Sequence, residues 1–487
     1  MTGPIAVVGL GPAGLDRLLP AAAAVLDDPA VTVLVRTLRH PASAQLAARR
    51  DVTGCDDLYE SAADHDEVYR RIVERVMEAA GGGPVAYAVP GSATVGERAV
   101  ALLREAAGAA GIPLAVHPGE SFIDAAITAV GIDPLERGLQ VLDGRDLAEP
   151  LLLHLPTLIS QVDGGLVLMD VRERLQRLLP DDTPVTVLDS LGGDGERIVE
   201  TTLSALRPGD AGDRVTLFLD VEAPGWPGLV RTNTRLRSEC PWDRQQTHHT
   251  LAKHLLEEAY ETLDVIEALP EEAPAGEADH AAYADVEEEL GDLLLQVVFH
   301  ATLAAEAGAF GTEEVAEAIR RKLIRRHPHV FGEVDAPTAA HVMANWETLK
   351  QEEKQRDSLL DGVPRSMPAL ARSLELQSRA ASIGFDWPDL AGVVAKVREE
   401  MDELLADRDV ESRARDELGD LLFSVVNLAR HLAVDPEQAL RAAADRFDRR
   451  FRSMEAGGSL AGLTLEEMDR RWDAAKAEEA DEAPGHH

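Results

Sequence analysis

The run EELGDLLLQVV (288–298) returns as DELGDLLFSVV (416–426), and the reading of the chain turns on it. In each run two carboxylates three residues apart, Glu289 with Asp292 and Glu417 with Asp420, fall on one side of a helix. The remaining positions are apolar all round: Leu290, Leu293, Leu294, Leu295, Val297 and Val298 in one, Leu418, Leu421, Leu422, Phe423, Val425 and Val426 in the other. No polar face exists for these acids to belong to. A carboxylate buried without a partner costs several kcal/mol, so it must meet a cation or take up a proton.

A second acidic set precedes each run. Glu257, Glu258 and Glu261 occupy one helical turn, as do Glu399, Glu400 and Glu403. Either triplet alone reads as a solvated helix face in an acidic chain. A helix hairpin that brings it against the following pair gathers five carboxylates. Each close pair repels by up to ~4 kcal/mol at an effective dielectric of roughly 20. A divalent cation relieves that repulsion, and all-oxygen ligands select Mg²⁺ or Mn²⁺ over zinc.

Outward from these runs an internal repeat emerges. The first copy reads CPWD (240–243), EEAYE (257–261), EELGDLLLQVV, KLIRR (322–326) and NWETLK (345–350). The second reads GFDW (384–387), EEMDE (399–403), DELGDLLFSVV, RFDRR (446–450) and RRWDAAK (470–476). Lys322, Arg325 and Arg326, then Arg446, Arg449 and Arg450, fit either phosphate oxygens or ordinary helix-surface ion pairs. Trp346 with Lys350 and Trp472 with Lys476 put an indole and an ammonium on one helical face, for base stacking or as a buried anchor. Trp242 and Trp387 stand at the entrance of each copy, as packing residues or as nucleotide contacts. Residues 270–285 read as a long loop in the first copy and 357–368 as the linker between copies.

Ahead of the repeat the chain changes character. Strand-like runs at Ile5–Val8, Val31–Val35, Val85–Val89, Leu166–Met169, Val185–Leu188 and Val215–Leu219 alternate with Ala- and Leu-rich helical stretches, the rhythm of an α/β domain. The turn-rich segment 222–228 ends it. From Thr247 the apolar spacing is helical throughout. The expected domains are 1–224 (α/β), 239–357 and 369–480 (both all-α).

Composition narrows the function. With 87 acidic and 48 basic residues and a formal charge of −39, the mean field repels nucleic-acid backbones. Two distant cysteines, Cys55 and Cys240, form neither a disulfide framework nor a zinc site. No signal peptide or membrane-length apolar run is seen, so a cytoplasmic protein without nucleic-acid or membrane partners is expected.

The ordered set CPWD, EExxE, ELGDLLLQVVFHA, RRHPHVFG (325–332) and NWExxK, then GFDW with a second EExxE and ExxD, resembles the MazG nucleoside triphosphate pyrophosphohydrolases over about residues 238–479. That resemblance implies an all-α fold, hydrolysis of NTPs or dNTPs to the monophosphate and pyrophosphate, and a homodimer. It implies Mg²⁺ ligands at Glu257, Glu258, Glu261, Glu289 and Asp292, and at Glu399, Glu400, Glu403, Glu417 and Asp420. Glu258, Glu261, Glu400 and Glu403 become the catalytic candidates. Substrate contacts fall to Lys322, Arg326, Trp346 and Lys350, and to Arg446, Arg450, Trp472 and Lys476; Arg446 stands where family members often carry Lys.

The N-terminal Gly9-Leu-Gly11-Pro12-Ala-Gly14 follows strand IAVV and resembles the GxGPG opening of S-adenosylmethionine-dependent tetrapyrrole methylases, in particular the YabN-type domain fused to MazG. Arg36, where a ribose-binding acid would stand, counts against NAD. The resemblance implies cofactor contacts at Gly9, Gly11, Pro12, Gly14, Pro90, Gly91 and Ser121. The family's Gly-Asp-Pro is replaced by Pro90-Gly91-Ser92, which separates methyl transfer from the fold. Two alternatives stay open: a bifunctional enzyme that also methylates a tetrapyrrole-like substrate, and a metal-holding dimerisation module without catalysis.

Overall fold

The computed structural model describes residues 3–62, 64–193, 195–270, 274, 278–332, 334, 337–338, 341–342 and 358–482. Five parallel strands, β1 (Ile5–Gly9), β2 (Thr32–Val35), β3 (Thr53–Gly54), β4 (Val85–Val89) and β5 (Leu114–His117), make a first sheet in the order β3-β2-β4-β1-β5. Both faces of that sheet are covered, which is why its strands read as unbroken apolar runs. Val7, Tyr87 and Val89 pack against α4 (His65–Ala80) and α5 (Arg98–Ala110). Val8, Ala86 and Ala88 face α1 (Pro20–Asp27) and α2 (Pro41–Ala47) on the other side. Short α3 (Asp56–Ser61) joins the α4 and α5 side through Leu58.

Through α6 (Phe122–Val130) and α7 (Pro134–Arg137) the chain enters a second, mixed sheet. Its strands β6 (Gln140–Asp143), β7 (Thr157–Ser160), β8 (Pro184–Asp189), β9 (Arg197–Thr202) and β10 (Val215–Leu219) lie in the order β6-β7-β10-β8-β9, with α8 (Gly165–Gln176) packed against them. One expected strand is corrected here. Leu166–Met169 is the first turn of α8: Leu168, Val171 and Leu175 are buried at helical spacing while Leu166 is exposed. A helical period over twelve residues outweighs four β-prone ones.

No strand follows β10 among the described residues. The turn-rich segment 222–228 is a boundary for only three residues, because α9 (Gly225–Glu239) begins inside it and accommodates Pro227 in its first turn, where no backbone donor is lost. The hairpin of α10 (His248–Glu267) and α11 (His280–Glu306) follows, then α12 (Thr312–Arg326) and α13 (Pro328–Phe331). The loop expected over 270–285 closes earlier, since Asp279 Oδ1 accepts from the backbone N–H groups of Ala281 and Ala282 and starts α11. The second copy repeats the plan with α14 (Ala369–Ser382), the hairpin of α15 (Leu390–Asp407) and α16 (Glu411–His431), α17 (Pro436–Ala456) and α18 (Leu465–Glu482). Contacts divide the chain into two compact units, Met1–Ala318 and Ile319–His487.

Candidate functional site

In the first hairpin the Thr262 hydroxyl, buried between the helices, donates to the carbonyl of Glu258 at 2.7 Å and meets that of Glu289 at 3.2 Å. This one side chain fixes α10 and α11 at the level of their acids. Carboxylate oxygens of Glu258, Glu289 and Asp292 lie within 4.8 Å of one another. Glu258 is held above the usual carboxylate range by burial and by the charges of Asp292, Glu261 and Glu257. Burial, Glu261 and Asp292 lift Glu289 likewise. One oxygen of Glu289, Oε2, is buried without a hydrogen-bond partner. Glu257 is the outlier of the five, turned outward to His254 Nδ1 at 3.2 Å.

The second hairpin repeats the triad with Glu400, Glu417 and Asp420, again within 4.8 Å. Burial and the charges of Glu403 and Glu400 raise Glu417. Here a cation is already present: Lys396 Nζ lies 2.7 Å from Glu400 Oε1 and 2.9 Å from Glu399 Oε1. These two contacts hold the lysine above its ordinary range. The wholly apolar surroundings expected from sequence are only half built within each hairpin. Leu290, Leu294 and Val297, and at the same register Leu418, Leu422 and Val425, remain exposed.

The remaining candidates divide. On α17 and α18, Arg446, Arg450 and Lys476 line one shallow depression. Arg450 stacks over Trp472 at 5.7 Å and is tied to Glu479 at 2.6 Å. Lys322 is exposed on α12 and Arg326 is buried. Trp346 and Lys350 lie outside the described residues. A His248–His300 contact, Nδ1 to Nδ1 at 2.8 Å between an exposed and a half-buried ring, links the far ends of α10 and α11 and carried no sequence signal.

A separate cavity of about 470 Å³ opens between the two sheets. Pro12, Pro90 and Gly91 line it, together with Arg36, His40, Glu97, Arg145 and Arg214. Gly9 shapes it from behind: a Cβ there would stand 2.4 Å from the Gly119 nitrogen. Gly11 pairs with Gly91 in a β-bridge, Gly14 lies against Gln45, and Ser121 caps α6 with Asp124. Gly9, Gly11, Gly14 and Ser121 do not line the space. Arg36 turns inward to Glu97 and to the Tyr59 hydroxyl. Burial lifts Glu97 to about 7 against the pull of Arg36. Burial, then Arg214, pushes His40 down to about 4, and its Nδ1 has no partner.

A doubled helical module with paired carboxylate triads, carried behind a two-sheet α/β domain, is the layout of a nucleotide-hydrolysing enzyme with a methylase-fold partner. The family model of the MazG nucleotide pyrophosphohydrolase domain matches residues 246–331, and that of the tetrapyrrole (corrin/porphyrin) methylases matches residues 4–207. The YabN protein of Bacillus subtilis is 37% identical over 98% of this chain and 99% of its own length. The nucleoside triphosphate pyrophosphohydrolase of Escherichia coli is 44% identical over 52% of this chain and 97% of its own length. The uroporphyrin-III-C-methyltransferase structure from Thermus thermophilus aligns with 51% of this chain and 100% of its own at 24% identity and a TM-score of 0.34. The chain belongs to the MazG family in its YabN-type architecture, a tetrapyrrole-methylase-fold domain followed by MazG-type helical modules. It is a hydrolase of phosphoanhydride bonds.

Proposed function

We propose that this chain converts nucleoside triphosphates, ribo or deoxy, to the monophosphate and pyrophosphate with Mg²⁺ or Mn²⁺, within modules 239–357 and 369–480 that follow domain 1–224. The observation that carries this reading is the acidic triad, assembled twice, with the unpartnered Glu289 Oε2 and carboxyls pushed up by burial and then by mutual repulsion. Hard oxygen donors at such spacing suit a divalent ion. Glu258, Glu261, Glu289 and Asp292 would hold it in the first module, with Glu257 at the rim, and Glu399, Glu400, Glu403, Glu417 and Asp420 in the second. Such an ion supplies Lewis acidity and charge neutralisation at the phosphates. The chain's own part is to orient the acids, as Thr262 does, and to accept the proton of the attacking water on a glutamate of the cluster. Lys322, Arg326, Trp346 and Lys350, and Arg446, Arg450, Trp472 and Lys476, serve the polyphosphate and the leaving pyrophosphate. The test is pyrophosphate release from a panel of NTPs and dNTPs with Mg²⁺; no release from any of them defeats the reading.

The exposed leucines at equal register in both hairpins support a homodimer that covers them, checked by sedimentation of the full chain. The inter-sheet cavity has the size of a cofactor site, and its lining by Pro12, Pro90 and Gly91 supports S-adenosylmethionine binding there. Calorimetric titration with that cofactor tests it.

A further inference from the structure

At one wall of the inter-sheet cavity lies a buried polar cluster that the acidic triads do not use. Glu97 is the N-cap of α5, yet its side chain caps nothing there and bonds Arg36 of β2 instead. Gly96, at φ +68 with open space around it, supplies the turn that aims Glu97 inward. The carboxylate side chain is only 4% exposed. Arg36 in turn donates from Nε to the Tyr59 hydroxyl at 3.0 Å. Both members of the ion pair line the cavity. Beside them in β4 stands Tyr87, fully buried, with no hydrogen-bond partner for its hydroxyl.

A buried hydroxyl left unpaired is costly, and Glu97 is the charged group that acts on Tyr87 most strongly. A carboxyl released from Arg36 therefore has a second place to go. The other arginines of the cavity are placed differently: Arg145 is tied to Asp163, and Arg214 is exposed. The titratable groups around Glu97 are Arg36 of β2, Tyr59 of α3 and Tyr87 of β4, with Tyr69 of α4 beside Tyr59 and Cys55 beside Tyr87. Among these Arg36 is the one cation, so a Glu97 that gives it up is a buried carboxyl without countercharge and is neutralised by a proton. Even with Arg36 beside it, burial holds Glu97 at about 7.

We propose that Glu97 is a proton-coupled gate on Arg36: a ligand carboxylate or phosphate reaching Arg36 through the cavity displaces Glu97 onto the Tyr87 hydroxyl, and the released carboxyl takes up a proton from solvent. Arg36 stays paired throughout, because the incoming anion replaces the outgoing one. The proposal rests on the reading of this cavity as a cofactor site and adds what occupancy does to the chain, which is to free the first turn of α5 from β2.

The test is calorimetric titration of the full chain at about pH 7.5, where Glu97 beside Arg36 is largely ionised, in two buffers of different ionisation enthalpy. The probes are S-adenosylmethionine, its decarboxylated form, and sulfate as a non-titrating substitute for phosphate. Proton uptake is expected with the anion that uses Arg36 and should vanish in Glu97→Gln, which is expected to bind that anion about tenfold tighter because the internal competitor has lost its charge. Tyr87→Phe is expected to bind it about fivefold more weakly at an unchanged melting temperature, since the variant removes the second partner of Glu97 and no existing hydrogen bond. Affinity and proton uptake lost on decarboxylation identify the ligand group as the carboxylate. Uptake with sulfate alone supports a phosphate ligand, and the cofactor reading then fails while Glu97 keeps its role. Binding of S-adenosylmethionine without proton uptake, or weakened in Glu97→Gln, overturns the gate and leaves the cofactor reading intact. A chain that binds none of the three overturns both.

Discussion

Lys396 holds Glu400: a single salt bridge of 2.7 Å, with the carboxylate almost fully buried, puts a positive charge inside the second acidic triad. At the same register the first repeat carries His254, which reaches only the outlying Glu257. A divalent ion entering the second triad therefore has to displace or share with an ammonium, and one entering the first does not. At an effective dielectric of roughly 20 and about 5 Å, the repulsion between the ammonium and a doubly charged ion has a ceiling of about 7 kcal/mol, reduced by the partial exposure of the lysine. Lys396→Met is expected to tighten Mn²⁺ binding at the second repeat by on the order of tenfold. A two-site Mn²⁺ titration reads this directly. Equal affinities in parent and variant would mean that the ammonium swings clear of the site at no cost.

Removing one carboxylate from a triad should cost rate more than stability, because the variant relieves repulsion in the empty site. Glu258→Gln is expected to leave the melting temperature unchanged or slightly raised, whereas Glu400→Gln also gives up the Lys396 salt bridge and is expected to lower it. Pyrophosphate release by the affected repeat should fall by on the order of 100-fold, and the double variant should lose both sites. Pyrophosphate assays on the two single variants and the double variant check this. Parental rates in all three would remove these residues from the mechanism.

The helical half was legible because helix period and carboxylate spacing are local quantities. Glu289 and Asp292 are three residues apart in the chain and necessarily share a face, so that pair could be read before any fold was known, whereas Glu258 reaches it only through the hairpin. Nothing local orients Gln377. The direction of its amide is set by the Phe423 carbonyl forty-six residues away. Lys396 was more accessible, lying four residues before Glu400, but i, i+4 pairs are so common on helices that spacing alone does not single it out. In the α/β half, Leu166–Met169 was misassigned because four β-prone residues outweighed the longer helical period, and β7 was missed because Thr157–Ser160 is too short and mixed to stand out. The inward turn of Arg36 onto Glu97 likewise needs the parallel register of β2 and β4, which no single stretch encodes.

Thr262 supplies a stability prediction that bears on the site. Its hydroxyl ties the Glu258 turn of α10 to the Glu289 turn of α11, and Val matches its shape without the donor. Thr262→Val is expected to cost about 1 kcal/mol, the net value of a neutral buried hydrogen bond. The chemical-denaturation midpoint should fall with an unchanged slope. Because the hydroxyl sets the separation of the two carboxylate-bearing turns, Mn²⁺ affinity at the first repeat should drop as well. A stability loss without any change in metal affinity would show that the packing of α10 on α11 sets that distance by itself.

His40 makes the α/β domain acid-sensitive in a defined window. Folded, its pKa is about 4 because burial and Arg214 disfavour the charged ring; the ordinary value is 6.5. Between those values the unfolded chain binds a proton that the native state refuses. The stabilisation from a neutral His40 is thus complete above pH 6.5 and is lost as the pH falls toward 4, with a ceiling of about 3 kcal/mol. His40→Gln keeps a polar group at the cavity and cannot titrate. Hydrogen-exchange protection of the β1 and β4 amides, followed from pH 7 to pH 4, should therefore fall more steeply in the parent than in the variant, with the two curves closing or crossing below pH 5. Parallel curves across that range would show that the imidazole is solvated in the native state and that its burial between the sheets does not govern its charge.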